Sequence, residues 1–437
     1  MERKIPTSEQ VRRGVIKLIL FFMILTPDLR IPGMPAVRFE QLAVFFLILL
    51  GMASLIVGKK IRIHISSYPV LLGFFSLFMV ASIMIGNIQG IPVVFNDFFE
   101  LYKILFYVGL FIVISSSVRS KEEQKEFLQT ITFFIAVSGV FSITQYYNLG
   151  GFNDYYVPII APTQYIPLVA GYRYPRVVGL SSNPNTYGAM TAIGVILALY
   201  LLMKEGKKRN LLYAVMSFIG CMMTLSRAGF VMMGIGVFLI VLLHFKETIF
   251  NIGRFLSNKI SFRDIKVLVV TGIIGGGFIY IFTNYLPEAF LWRLLEGANL
   301  ATSRGWQVRL INWQENITYF LQSPVFGIGP AKAIDFQFAA DNEWLLLLRQ
   351  YGIIGTAYLA FVMVLPVFLL GRGGNRNHNQ LYKGLLVGMG LFMIPAAVFH
   401  SFQLMGLFVT ITALCFWKEK NFFVVNLYRE RKEGGTS

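Results

Sequence analysis

Long apolar stretches recur along the chain, and each is close to the length that an α-helix needs to cross a bilayer, about 20 residues. Apolar residues are continuous in these stretches and do not alternate with polar ones, which excludes a membrane β-barrel. Two stretches, Val70 to Ile85 and Phe230 to Leu243, are almost unbroken. The predicted spans lie near residues 13–28, 39–58, 68–86, 98–117, 127–147, 187–203, 210–226, 228–245, 266–285, 342–370, 383–400 and 402–417.

The composition supports this interpretation. Of the 437 residues, 56% are hydrophobic and only 14% are charged, with a mean hydropathy of +0.63. Ordinary soluble domains are about a quarter charged, so a cytosolic enzyme, a disordered protein and a coiled coil are excluded. We predict an all-α polytopic membrane protein with about 12 transmembrane helices, and a single integral membrane domain over residues 1–437. No cleavage site follows Thr26, so the first stretch is expected to be a retained span and not a signal peptide.

The basic residues predict the orientation of the chain. Every second connection between spans is rich in Lys and Arg, which places those connections and both termini in the cytoplasm. Residues 148–186 and 286–341 are then extracytoplasmic loops. Eleven basic and eleven acidic residues lie outside in this topology, so the whole net charge of +17 belongs to the cytoplasmic side. The charge therefore serves orientation, and no nucleic-acid partner is predicted.

Arginine predominates among the outer basic residues, of which nine in eleven are Arg. Sorting by charge depletes both Lys and Arg outside, so these arginines need another explanation. A guanidinium group presents a planar fork of donors that matches phosphate oxygens, which suggests a lipid-linked diphosphate as the ligand. The alternative is that the arginines pair with outer carboxylates such as Glu288, Glu296 or Asp335.

Arg227 is the most informative of these arginines. It follows Ser226 in a short turn between two apolar runs. A charge this close to the hydrocarbon is costly and indicates a functional residue. A side chain that snorkels to the interface is the alternative.

Residues 302–323 are predicted to form a helix outside the membrane, capped by Thr302 or Ser303. Its apolar positions recur at helical spacing, and its polar positions share another face: Trp306, Leu310, Trp313, Ile317 and Phe320 are apolar, and Arg309, Asn312 and Asn316 are polar. Such a helix would lie at the membrane interface and hold Arg309 near a lipid diphosphate. A plain amphipathic surface helix is the alternative.

The sequence Pro-Val-Phe-Gly-Ile-Gly-Pro follows this helix, and its glycines, Gly327 and Gly329, indicate a fixed turn. Asp341-Asn342-Glu343 then opens the tenth span. Asp341 is placed to cap that helix, with Glu343 in its first turn. Either carboxylate could instead accept a proton from a sugar hydroxyl. The span is expected to be interrupted at Gly352 and Gly355.

Taken in order, these motifs resemble the O-antigen ligase and polymerase superfamily. The resemblance covers residues 180–365, and the preceding segment from Arg176 to Asn185 also matches an outer-loop end of the family. It rests on Ser-Arg between two spans, Arg309-x-x-x-Trp313, Pro-x-x-Gly-x-Gly-Pro, Asp341-Asn342-Glu343-Trp344-Leu345 and Tyr351-Gly352-Ile353-Ile354-Gly355. One departure concerns the loop end, where ligases of this family carry a catalytic His before Asn and this chain has Asp341.

The resemblance implies a glycosyltransferase that acts on glycans linked to undecaprenyl diphosphate, at the outer face of the bacterial inner membrane. It implies diphosphate binding by Arg227 and Arg309, and we add Arg304 and Arg176 as further candidates. Asp341, Glu343 and Arg309 are the candidate catalytic residues, with Gly327, Gly329 and Asn342 shaping the loop. Partners implied are the lipid-linked oligosaccharide, membrane lipid, a chain-length regulator and a flippase.

The departure at Asp341 favours a polymerase of O-antigen, capsule or exopolysaccharide repeat units over a ligase that transfers the glycan to lipid A core or protein. A membrane carrier is the third alternative, but the spans hold few ionisable groups away from their ends. The leaving diphosphate already activates the sugar, so no cofactor is predicted. No two His or Cys residues have metal-ligand spacing, and only His400, expected at the outer end of the eleventh span, could reach an outer site.

Overall fold

The computed structural model describes residues 8–28, 37–64, 66–164, 168, 175–249, 272, 276, 304–334, 341–372, 376–418 and 422–425. Within these ranges the chain is helical apart from two short strands. The helices are α1 (Ser8–Leu25), α2 (Phe39–Ile56), α3 (Ser67–Ile88), α4 (Phe98–Ser117), α5 (Lys121–Tyr146), α6 (Phe152–Ile160), α7 (Pro184–Glu205), α8 (Lys208–Met223), α9 (Arg227–Ile249), α10 (Arg304–Gln322), α11 (Glu343–Arg372), α12 (Arg376–Phe392) and α13 (Phe402–Phe416). Short 3₁₀ turns occupy Phe95–Asp97, Leu149–Gly151 and Pro162–Gln164.

The all-α membrane architecture predicted from hydropathy is confirmed. Among the described residues, seven helices are long and apolar enough to cross a bilayer: α2, α3, α4, α5, α7, α9 and α11. Four further predicted spans overlap α1, α8, α12 and α13, which are shorter or carry more charge. The span predicted over 383–400 overlaps its helix least, since α12 ends at Phe392. The predicted span 266–285 lies outside the described residues, apart from positions 272 and 276.

Helix α7 forms the centre of the bundle. Its most apolar window is 89% buried, against 17–50% for the other long apolar helices. Helix α7 packs against α5, α8 and α9. Small residues permit this close approach, since a side chain at Gly194 would collide with Ile135 of α5 and Ser217 of α8.

Two four-residue strands depart from the helical pattern. Strand β1 (Ile61–His64) pairs antiparallel with β2 (Phe422–Val425), with Ile61 opposite Val425 and His64 opposite Phe422. The pairing joins the connection between α2 and α3 to the segment after α13. Both segments belong to the side that the sequence predicts to be cytoplasmic.

Helix α11 is broken at Gly352, as its sequence predicts, and the turn after α10 fills the break. Gly352 has a φ of 63° and a ψ of −170°, which interrupts the helical hydrogen bonds. Ile328 N donates to the Arg349 carbonyl (3.0 Å), and Ile353 N donates to the Pro324 carbonyl (2.8 Å). A Cβ atom at Gly327 would collide with the Gln350 carbonyl, so only glycine permits this approach. The break therefore fixes the end of α10 against the start of α11.

Candidate functional site

The predicted outer helix is present as α10, and its polar face is turned inward. Asn312 and Asn316 are buried, whereas Leu310 and Ile317 of the apolar stripe are exposed. An apolar face that is open while amides are buried suits a helix lying at the membrane interface. The capping residues expected at 302 and 303 lie outside the described residues.

Arg309 of this helix faces Asp341, which precedes α11. Arg309 Nε lies 3.9 Å from Asp341 Oδ2, and Asn312 Nδ2 donates to the same oxygen at 3.5 Å. The Arg309 guanidinium also lies 5.6 Å from the centre of the Trp306 ring. Both distances to Asp341 are long, so this ion pair is loose and its atoms have room for further hydrogen bonds.

Partial burial makes Asp341 a stronger base than an exposed aspartate. Burial raises the pKa of its carboxyl group above the ordinary value of 3.8, and nearby Arg309 and Asn312 oppose that rise. The side chain is nevertheless 41% exposed. A carboxylate that is both accessible and more basic than usual is suited to accept a proton.

Asn342, and not Asp341, caps α11. Leu345 N donates to Asn342 Oδ1 at 3.1 Å, and the helix begins at Glu343. The expectation that Asp341 could be the cap is therefore wrong, because Asn342 already occupies that position. The Asp341 carboxylate is consequently available to Arg309.

Glu343 is fully buried, and both of its carboxylate oxygens are engaged. Oε2 accepts a hydrogen bond from Val398 N at 2.7 Å, and Oε1 contacts His400 Nδ1. His400 Nε2 lies 3.0 Å from Gln350 Oε1. This arrangement corrects the expected place of His400, since α12 ends at Phe392 and the following nine residues form a turn that returns the ring to α11.

Glu100 of α4 completes a charged cluster on the other side of His400. Glu100 Oε2 lies 3.6 Å from His400 Nε2, 2.9 Å from Lys103 Nζ, and its second oxygen lies 3.2 Å from Lys332 Nζ. Sequence analysis missed this cluster. Glu100 and Lys103 look like an ordinary i,i+3 pair at a helix end. The only available signal was that His400 is the one histidine that the predicted topology places on the outer side.

A second arginine group lies where the segment 175–183 meets the turn between α8 and α9. Arg176 Nε donates to the Thr224 carbonyl (3.2 Å), and its terminal nitrogen donates to Asn185 Oδ1 (2.9 Å). Ser226 Oγ donates to the same Asn185 oxygen at 3.1 Å. The structure thus joins two motifs that are about 40 residues apart, next to Arg227 at the start of α9.

Among the described contacts, Arg309 and Asp341 interact with each other, with Trp306 and with Asn312. None of these contacts reaches the group around Arg176. The backbone of Arg304 lies in α10, and its side chain is outside the described residues. Gly329 lies in the turn after α10, where its N–H donates to the Gln350 carbonyl at 2.9 Å. The outer carboxylates Glu288, Glu296 and Asp335 also lie outside the described residues.

Residues 211–360 match the family model described as O-antigen ligase. The similarity to this family extends over 150 of the 437 residues. The superfamily resemblance predicted from the motifs is thereby confirmed, while the polymerase branch stays a prediction. The matched region contains Arg227, Arg309 and Asp341, whereas Arg176 and His400 lie outside it. No curated protein matches the chain.

Proposed function

We propose that this protein is a polymerase of polysaccharide repeat units linked to undecaprenyl diphosphate, working at the outer face of the bacterial inner membrane. The growing chain is the donor, and the acceptor is a hydroxyl at the non-reducing end of a new lipid-linked unit. The bond between the donor's reducing-end sugar and its diphosphate breaks. A glycosidic bond to the acceptor oxygen forms, the hydroxyl proton leaves with a base, and undecaprenyl diphosphate is released.

The loose pair of Arg309 and Asp341 is the observation that carries this proposal. Negative charge develops on the diphosphate as its bond to the sugar breaks, and a guanidinium positioned beforehand stabilises that charge. The acceptor hydroxyl must lose a proton at the same time, and the raised pKa of Asp341 favours its uptake. Glu343 is the weaker candidate base, since both of its oxygens are already engaged inside the protein.

Arg227 is proposed as the second phosphate ligand. Arg176 already donates to a carbonyl and to an amide oxygen of the protein, so its proposed part is to fix the turn that precedes Arg227. Arg304 begins α10 and stays a proposed further ligand of the diphosphate.

An elongation assay tests the proposal. Purified protein in detergent, given undecaprenyl-diphosphate-linked repeat units alone, is expected to produce a ladder of longer lipid-linked chains. The strain lacking the gene is expected to display single repeat units in place of the ladder. An unchanged ladder in that strain would overturn the polymerase, and elongation by purified protein would exclude a carrier.

A ligase is the second candidate, and two observations favour it. The matched family model is described as O-antigen ligase, and His400 brings an imidazole to Glu343, two residues after the position at which ligases carry their histidine. A ligase would transfer the finished glycan to lipid A core or protein, without elongating it. The deletion strain would then lack the surface glycan altogether.

The proposed topology can be tested by cysteine labelling. Gln314 on α10 and Lys207 between α7 and α8 are both exposed, and the native cysteines are buried. Cysteine at position 314 is expected to react with an impermeant reagent from outside, and cysteine at position 207 only after the membrane is opened. The reverse pattern would contradict cytoplasmic termini. A chain-length regulator and a flippase are proposed partners that co-purification would detect.

A further inference from the structure

The ring of His400 lies between acceptor oxygens from two other helices. Its Nδ1 contacts Glu343 Oε1, and its Nε2 lies 3.0 Å from Gln350 Oε1 and 3.6 Å from Glu100 Oε2. Carboxylate and amide oxygens only accept hydrogen bonds. With both carboxylates ionised and the Gln350 amide oxygen facing the ring, each ring nitrogen is placed to donate, and the ring is then an imidazolium with a charge of +1.

The net charge of the surrounding side chains agrees with a positive charge on the ring. They come from α4 and the turn before it, from the segment after the Pro324–Pro330 turn, and from α11: Asp97, Glu100, Lys103, Lys332 and Glu343. Three carboxylates against two ammonium groups leave one negative charge, which the imidazolium neutralises. Two phenols nearby, Tyr107 and Tyr351, are buried. A buried carboxylate such as Glu343 is costly unless it is paired in this way.

The cluster holds the residue that follows Asp341 and Asn342. Glu343 is tied to the turn 393–401 through its side chain, which contacts His400 and Val398, and through its backbone N–H, which donates to the Met393 carbonyl at 2.9 Å. Only one residue separates Glu343 from Asp341. Fixing Glu343 therefore restricts where the Asp341 carboxylate can lie.

The same cluster also contacts the turn that follows α10, the helix that carries Arg309. Gln350, which contacts the ring, also accepts a hydrogen bond from Gly329 N in the turn after α10. Lys332, just beyond that turn, pairs with Glu100 at 3.2 Å. His400 therefore contacts residues that hold the turn after α10, the helix of Arg309, and it contacts Glu343, which holds Asp341.

The geometry points to His400 as a positioning residue: its imidazolium bridges Glu343 and Glu100 and so sets the separation between Asp341 and Arg309. We name this contact the His400 bridge. The inference rests on the proposed glycosyl transfer for its effect on rate, and on the structure alone for its effect on geometry. His400 itself does not touch the reacting atoms in this scheme.

Kinetics on the purified protein test the bridge. His400→Ala is expected to lower kcat about 10²-fold, the effect of misplacing a reacting group by about 1 Å, and to leave KM for the lipid-linked donor nearly unchanged. His400→Gln, which keeps one donor towards Glu343, should recover part of the loss. His244→Ala is the matched control. His244 lies near the C-terminal end of α9, and this variant should keep wild-type activity. The double variant with Glu343→Gln and His400→Ala should lower kcat by no more than the more severe of the two single variants.

Two structural measurements apply even if His400→Ala folds poorly or transfer is absent. Nitrogen-15 NMR of the intact protein in detergent, assigned with His400→Gln, is expected to show both His400 ring nitrogens protonated at pH 7. Spin labels at positions 314 and 394, both exposed, should give a narrow distance distribution that broadens in His400→Gln.

The outcomes separate the bridge from the proposed function. If the wild type transfers glycan, Arg309 is required and both His400 variants keep full kcat, the bridge is overturned and the function stands. If the wild type transfers no glycan, the function is overturned, and the ring nitrogens and label distances decide the bridge. A neutral ring, or a distance distribution unchanged in His400→Gln, would overturn the bridge in either case.

Discussion

Arg38 and Arg309 both belong to the outer side in the predicted topology, yet the protein uses them in opposite ways. Arg38 is 1% exposed, and its donors reach the carboxylates of Glu40 and Asp28 and the carbonyls of Met23 (2.9 Å) and Thr26 (3.2 Å). The side chain of Arg309 is 25% exposed, and its nearest carboxylate lies 3.9 Å away.

The difference teaches how to separate a structural arginine from a ligand-binding one. A buried guanidinium must have its donors satisfied by the protein, because an unpaired buried charge is too costly. A guanidinium that binds phosphate must keep donors available and remain accessible. Arg38 meets the first condition and Arg309 the second. The suggested pairing of outer arginines with carboxylates therefore holds for Arg38, and the diphosphate interpretation is better reserved for Arg309.

Arg38→Ala is expected to have the largest effect in this comparison, and the effect falls on stability. Removing the guanidinium leaves Glu40 buried without its partner, which costs about 3–5 kcal/mol. Membrane abundance and the thermal unfolding temperature in detergent should fall sharply. Glycan transfer per folded molecule should be unchanged, and a selective loss of transfer with normal abundance would contradict the structural role.

Arg309→Ala is expected to have the reverse signature. Losing a donor aimed at developing charge lowers rate about 10²- to 10³-fold, while unfolding temperature stays that of the wild type because the ion pair is loose. Arg309→Lys should recover only part of the rate, since it keeps the charge and loses the fork. Full activity in Arg309→Ala would refute the phosphate clamp.

The pH dependence of glycan transfer tests the role of Asp341 beside Arg309. An ionised carboxylate is needed to accept a proton, so transfer should be lost as pH falls through the pKa of Asp341, which burial raises above 3.8. Asp341→Asn should lower the rate about 10²-fold and remove this acid limb. Rate measured between pH 4 and 8 at saturating substrate checks the expectation, and an acid limb that persists in Asp341→Asn would assign the base elsewhere.

Asn342→Ala is expected to have the smallest effect. The cap of α11 contributes about 1 kcal/mol, so unfolding temperature should drop slightly. Asp341→Ala offers the matched control one residue earlier, because Asp341 does not cap and its loss should leave stability nearly unchanged. A larger loss of stability in Asp341→Ala than in Asn342→Ala would reverse the assignment of the cap.

Much of the architecture could be predicted because it depends on neighbours along the chain. Helical spacing of apolar residues located α10, and the Pro and Gly pattern located the turn at Gly327. The capping residue of α11 was less accessible. Asp341 and Asn342 are both good caps, and only the observed bond from Leu345 N to Asn342 distinguishes them.

The sequence by itself determined that this is a helical membrane protein and which segments are apolar enough to be buried, and it predicted that arginine is enriched outside. Hydropathy and helical period are short-range properties, so they need no knowledge of the fold. Only the tertiary structure decided that Arg38 is satisfied internally and that Arg309 meets Asp341. It also brought His400 against Glu100, about 300 positions earlier. Such contacts depend on how helices pack, which local composition does not encode.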